Sequence, residues 1–480
     1  MKAVGVAKID TSSNGLAKLE GDGVNQQQAL DTSGRVIAGW NPEQEDHWDS
    51  GIAWRTLTVT TFSMIFAFCT WFLVSAIAAQ LNGIGFSLSK SQLYWLTAIP
   101  GLSGGLIRLV YMFLPPIVGT RKLVGWTSVL LLIPMLGWYF ALGNPSTPYG
   151  TLLLLSFLCG IGGGCFSGYM PSTGYFFPKR LSGTALNLQA GVGNLGMSFV
   201  QMLAPWLMGW ALLGSTVMTP QHGPNGPVWV TNVAIFFVPW LIVAAIVAFL
   251  TLKDVPVKAS VKQQLDIFGN SNTWLMTLEY IMTFGLFSGI SAQFGLLIND
   301  NFGATSQFAE QGLSNLPVGA AYAFLGPLIG SLVRVAWGPL CDRFGGGIWT
   351  FVSGVGMAVT LGIAVIFLNP STPSDFTPFL WAMLAMFVFA GIGNASTFKQ
   401  LPMIMPKRQS GGAIGFTGGM AAFGPFFCGV ALTALSAATF FWVCVGYCVI
   451  CSIIAWVRYA GPHAPFKDTR AGLPNQPSQH

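Results

Sequence analysis

The chain has 480 residues, 52% hydrophobic and only 8% charged, with a mean hydropathy of +0.61. A soluble domain carries about 25% charge, so too little polar surface remains to cover a water-soluble globule. The net charge of +6 traces to lysines and arginines gathered in loops, which argues against a nucleic-acid partner.

Residues 1–52 are mixed polar, with Asp31, Glu43, Glu45, Asp46 and Asp49, and carry no apolar signal region. They read as a cytoplasmic tail. Beyond them, a membrane-crossing helix needs roughly 20 apolar residues. Twelve stretches qualify, at 57–80, 93–117, 123–143, 150–176, 183–213 and 229–251, then 272–298, 317–340, 349–368, 378–404, 411–434 and 437–457. They are long and do not alternate as barrel strands do. The expectation is an all-α polytopic membrane protein with twelve transmembrane helices. Its parts would be an N-terminal half over 53–252, a cytoplasmic linker over 253–271, a C-terminal half over 272–457 and a cytoplasmic tail over 458–480.

Loop charges orient the chain. Arg121, Lys122, Lys179, Arg180, Lys253, Lys258, Lys262, Arg343, Lys407 and Arg408 fall on one side, and Lys90 alone on the other. Positive residues stay inside, so both termini are expected in the cytoplasm. The eight cysteines lie mostly within apolar runs and read as buried thiols. No metal or cofactor site is expected, and no catalytic constellation points to an enzyme.

The chain repeats itself. Asn144-Pro-Ser-Thr-Pro148 returns as Asn369-Pro-Ser-Thr-Pro373, an offset of 225. Pro178-Lys-Arg180 returns as Pro406-Lys-Arg408, an offset of 228, and Arg108 with Gly119 returns as Arg334 with Gly345, an offset of 226. Two pseudo-symmetric six-helix halves follow, the plan of a major facilitator fold, with its binding site near the midplane between the halves. Gly338-Pro-Leu-Cys-Asp342-Arg343-Phe-Gly345 resembles the facilitator loop motif; Gly119-Thr-Arg121-Lys122 keeps part of it.

Four ionisable residues stand inside spans: Arg108, Arg334, Lys399 and Glu279. Charge in hydrocarbon is costly, so such residues usually face a cavity with a function. Arg108 and Arg334 hold equivalent places in the repeat, which puts them on opposite walls of one cavity. The first half has no acid between Ser50 and Lys253. Excess positive charge calls for an anion, and the planar guanidinium fork suits a flat oxyanion. Arginines snorkelling to helix ends are the bland alternative. Sugar or drug transport is disfavoured.

Two further segments occupy matching places after the Pro-Lys-Arg turns: Gly183-Thr-Ala-Leu-Asn-Leu-Gln-Ala-Gly191-Val-Gly193-Asn194-Leu-Gly196 and Gly411-Gly-Ala-Ile-Gly415-Phe-Thr-Gly418-Gly419-Met-Ala-Ala-Phe-Gly424. With Phe176-Phe177-Pro178-Lys179 and Gly391-Ile-Gly393-Asn394-Ala-Ser396-Thr-Phe398, they resemble the nitrate/nitrite porter family over residues 57 to 457. That resemblance implies transport of nitrate and nitrite across a bacterial inner membrane. It implies Arg108, Arg334, Tyr280, Phe284 and Phe68 as substrate-binding residues. Ser172 stands where some relatives have asparagine. Gly191, Gly193, Asn194, Gly196, Gly415, Gly418, Gly419 and Gly424 form the signatures, expected to serve helix packing and rocking. Gly191 to Gly196 also spells GxGxxG, but a membrane helix lacks the strand that a dinucleotide fold requires.

Coupling is the open question. Lys399 lies eight residues before Lys407, about 12 Å along a helix, which places it near the midplane beside the arginines as a candidate proton carrier. Glu279 adjoins Tyr280 but points about 100° away, toward a neighbouring helix. Proton-coupled nitrate uptake is the expectation, with nitrate/nitrite antiport as the alternative. A passive anion channel or a sensor is more remote.

Overall fold

The computed structural model describes residues 29–468 except 213, 215–219, 224–225, 257–264 and 407–408. Lys258, Lys262, Lys407, Arg408 and the outer parts of both tails therefore lie outside the described residues. Among the described residues, eleven helices are long and apolar enough to cross a membrane: α1 (Ser50–Trp71), α2 (Lys90–Tyr111), α3 (Thr120–Leu142), α4 (Tyr149–Gly174), α6 (Asn232–Thr251), α7 (Ser271–Asn301), α8 (Gly319–Cys341), α9 (Gly346–Ile366), α10 (Pro373–Ile404), α11 (Ser410–Ala434) and α12 (Ala437–Ala460). The remaining expected span is α5 (Lys179–Leu207), at 29 residues the right length but less apolar. Asn187, Gln189, Asn194, Ser198 and Gln201 are buried along it. Its polar stripe faces protein, where a wholly apolar helix is not required.

Local chemistry sets the helix ends. α1 begins seven residues before the expected start, because the Asp49 side chain accepts from the Ile52 backbone N–H at 3.0 Å and caps it. Ser89 and Gln92 form a reciprocal capping box at the start of α2. One departure from an all-helical chain is a small hairpin between α5 and α6, β1 (Gln221–Gly223) paired antiparallel with β2 (Gly226–Val228).

The halves meet along two equivalent seams, α2 against α11 and α5 against α8. Glycine permits the closeness. A Cβ on Gly101 would sit 2.5 Å from the Phe426 nitrogen, and one on Gly191 would strike Val335. Large apolar side chains stay exposed on the peripheral helices: Trp126 and Phe140 on α3, Ile246 and Leu250 on α6, Val359 and Ile366 on α9, Trp442 and Ile450 on α12. Surface of that kind is unstable in water. All eight cysteines are buried and unbridged.

The face carrying residues 29–49 and 461–468, here the basic face, repeats one device. Gly119 and Gly345 take nearly the same left-handed conformation, φ 82° ψ 158° and φ 90° ψ 154°, immediately before α3 and α9. A side chain would be strained there. Asp254, just after α6, accepts the Arg121 backbone N–H at 2.9 Å. Asp468, beyond α12, accepts the N–H groups of Gly346 and Gly347, the latter at 3.0 Å. Burial pushes the Asp468 carboxyl up, and these two donors pull it back down. Residues 29–49 pack on the same face. Ile37 N–H donates to Asp254 O at 2.9 Å, Trp40 Nε1 to Tyr175 O at 3.1 Å and Trp48 Nε1 to Phe176 O at 2.8 Å.

Two stability measurements on detergent-purified protein follow. Asp254→Ala and Asp468→Ala should each cost about 1 kcal/mol, the ordinary value of a helix cap, seen as a lowered midpoint. Gly424→Ala should cost about 1–3 kcal/mol by overpacking, because its Cβ would collide with the Gly285 carbonyl. Gly418→Ala should cost less packing energy, since its Cβ meets Phe166 at an ordinary 3.5 Å.

Candidate functional site

α2 and α8 bring the two intramembrane arginines to the centre of the bundle, both fully buried. Arg108 Nε donates to the Gly163 carbonyl of α4 at 2.8 Å, and its Nη1 to the Gly418 carbonyl of α11 at 2.7 Å. The guanidinium thereby joins the two halves. Its Nη2 has no hydrogen-bond partner among the described residues. Arg334 Nη1 donates to the Tyr280 hydroxyl at 3.4 Å. It also reaches the Asn194 side-chain oxygen at 3.2 Å, in the amide orientation that lets the Asn194 nitrogen donate to the Ala190 carbonyl. Arg334 Nε and Nη2 have no hydrogen-bond partner among the described residues.

No ion pair among the described residues touches either arginine; the pairs are Lys90–Asp300 at 3.1 Å, Arg121–Asp254 at 3.9 Å and Arg180–Glu45 at 3.9 Å. Unpaired buried charge is expensive, and buried donors without acceptors are rare. The arrangement is suited to an anion that accepts from both forks.

Aromatic rings wall the site. Phe166 and Phe284 lie 6.3 Å apart with planes 26° from parallel, and Phe68 continues the stack 6.4 Å beyond Phe166. Tyr280 stacks on Phe284 at 5.4 Å, and Phe398 closes against Phe166 and Tyr280 at 5.6 and 5.5 Å. The Arg108 guanidinium carbon stands 4.5 Å from the Phe166 ring and 5.3 Å from Phe284; that of Arg334 stands 5.2 Å from Phe398. These cation–ring contacts offset part of the desolvation of each arginine without neutralising it.

Contacts between the halves flank the arginines on both sides. On the side away from the basic face the Tyr94 hydroxyl donates to Asp300 at 2.9 Å, and Thr97 donates to Gln293 at 2.6 Å. Toward the basic face the Ser167 hydroxyl donates to the Gly415 carbonyl at 3.2 Å, and Gly415 lies hard against Met112.

Thus Arg108, Arg334, Tyr280, Phe284 and Phe68 come together. Ser172 is buried on α4, six residues beyond Phe166, about 9 Å along the helix. Its hydroxyl has no partner among the described residues. Lys399 differs from its expected place. Its ammonium reaches Gly183, near the basic-face start of α5, where a Cβ would lie 2.9 Å from Nζ, and it is in electrostatic reach of Asp468. The long side chain extends toward the basic face, where a charge is better solvated. Glu279 is fully buried with neither oxygen partnered among the described residues. It is in electrostatic reach of Tyr447 and Cys451 of α12, Tyr459 and Asp468. Among the glycines, Gly193 faces Met64, Gly196 faces the Ile65 carbonyl and Gly419 faces Leu109; Gly418 also offers its carbonyl to Arg108.

Sequence reasoning passed over Phe166 and the direct contacts of Phe398 and Asn194. Phe398 and Asn194 stood inside the quoted motifs. Phe166 had no signal of its own, because its repeat mate at an offset of 228 is Asn394.

Two six-helix halves that each bring one buried, positively charged arginine to their junction define a secondary transporter of the facilitator type. Residues 57–374 match the family described as the Major Facilitator Superfamily. A bacterial homologue of the human lysosomal transporter Spinster, in an inward-facing and occupied conformation, shares the fold with a TM-score of 0.61 at 14% identity, over 85% of this chain and 97% of that one. A Thermus thermophilus protein described as "Probable nitrate/nitrite antiporter NarK2" is 52% identical over 82% of this chain and 88% of its own. The nitrate/nitrite transporter NarU of Escherichia coli K12 is 31% identical over 88% of this chain and 96% of its own. The chain belongs to the nitrate/nitrite porter family of the major facilitator superfamily and is a multi-pass membrane protein.

Lysine cannot reproduce a bidentate fork. Arg108→Lys and Arg334→Lys should each lower anion transport in proteoliposomes about a hundredfold, with elution and helical content unchanged.

Proposed function

We propose that this chain carries nitrate and nitrite across the bacterial inner membrane by alternating access, with the basic face and both termini in the cytoplasm. The observation that carries the reading is the pair of buried arginines, one from each half, with unpartnered guanidinium donors and aromatic walls. A small planar monoanion meets both forks with its edges and the rings with its faces. The relatives' names supply the two anions; the cluster of lysines and arginines on one face supplies the orientation.

Charge balance favours exchange of one anion for the other. Crossing the closed state empty leaves two uncompensated cations in a dry chamber, a cost of several kcal/mol. A bound monoanion removes one of those charges, so the loaded carrier crosses more readily. Proton-coupled uptake is the second reading, and the unpartnered Glu279 carboxyl between α7 and α12 is its supporting observation. Lys399, at the basic mouth, would then act on access and not on the bound anion.

Labelled-nitrate uptake into proteoliposomes tests both. Exchange predicts rapid uptake when nitrite or nitrate is loaded inside and little from empty vesicles, whatever the proton gradient. Accumulation into empty vesicles that collapses with an uncoupler would establish symport instead. Transport of neither anion would sink the assignment.

A further inference from the structure

Asn394 of α10 is fully buried, and neither its side-chain oxygen nor its nitrogen has a hydrogen-bond partner among the described residues. A buried amide in that state needs a reason. Its position supplies one. Phe398, one helical turn further along and on the same side of α10, lies in the aromatic wall with Arg334 over its ring at 5.2 Å. Three residues before Asn394, Gly391 packs on α8, where its Cβ would lie 2.9 Å from the Val333 Cβ, beside Arg334.

The other half shows what this place does. On α4, Gly163 accepts from Arg108, and Phe166, three residues on, meets the guanidinium at 4.5 Å. An offset of 228 carries Gly163 to Gly391 and Phe166 to Asn394. Asn394 thus holds, beside Arg334, the station Phe166 holds beside Arg108. A ring has been replaced by an amide, so the chamber has an aromatic surface on one side and a hydrogen-bond donor on the other.

We propose that the Asn394 amide nitrogen donates to the bound anion and sets the preference between nitrate and nitrite. This rests on the nitrate/nitrite reading above. Nitrate has three oxygens at the corners of a triangle, and two arginine forks leave one free. Nitrite has two oxygens and presents only the weaker acceptor nitrogen at the third corner. A neutral donor there favours nitrate without adding charge to a site that already carries two cations.

The test compares half-saturation for both anions in counterflow across proteoliposomes, for the native chain, Asn394→Leu, Asn394→Thr and Asn394→Val. Leu removes the donor at similar volume. It should raise the nitrate value about tenfold, the usual scale for losing a hydrogen bond to a charged group, and move nitrite less than about threefold. Thr and Val are isosteric and differ in one hydroxyl. Thr should retain more nitrate preference than Val, which decides the matter even if the Leu variant does not fold. An unchanged nitrate-to-nitrite ratio in Leu, or equal ratios in Thr and Val, would overturn the inference while leaving the transport assignment intact. A native chain that moves neither anion would overturn both.

Discussion

Two fully buried guanidinium groups, one from each half, lie in electrostatic reach of one another with no ion-pair partner among the described residues, and much of the centre follows from keeping them there. Each is held by neutral acceptors: the Gly163 and Gly418 carbonyls for Arg108, the Tyr280 hydroxyl and Asn194 amide for Arg334. Each lies against aromatic rings. Such partners position a cation without cancelling it, so the positive potential remains for the transported ion. A carboxylate in the same place would make a more comfortable protein and a poorer anion site.

That arrangement also explains where the glycines fall. Arg108 reaches across from α2 to α11, which requires backbones close enough for a carbonyl to accept from it. Gly101 and Gly415 supply that closeness on one seam and Gly191 on the other. Small residues let helices approach closely, so the contact that grips the arginine also belongs to the seam between the halves. Gly418 enters that seam through its carbonyl, which Arg108 grips, and not through a tight side-chain contact.

The architecture was legible in the sequence because repeat spacing and apolar runs are one-dimensional signals. The arginine pair was legible for the same reason: both members recur in register in a chain otherwise poor in intramembrane charge. Side-chain reach was not. Lys399 was placed by counting along its helix, but a four-carbon stem carries the charge far from its Cα, and here it runs toward the basic mouth. Phe166 escaped because symmetry was the search tool, and at that station the two halves differ. Asn194 was read as part of a glycine signature, and only the three-dimensional crossing of α5 and α8 brings its amide to Arg334. Glu279 was correctly turned away from Tyr280 by helical angle, although its neighbours beyond α7 could not be named.

The twin aspartates on the basic face bear on how the chain is made. Asp254 follows the residue it caps, Arg121, by 133 positions, and Asp468 follows Gly347 by 121. At ordinary rates of synthesis that interval is on the order of ten seconds. During it the first turn of α3, and later of α9, has water and not a carboxylate for its free amides. Each half receives its capping acid only as its last helix leaves the ribosome. The first half is complete in this respect before the second begins, so its assembly does not have to wait for a partner that has yet to be translated.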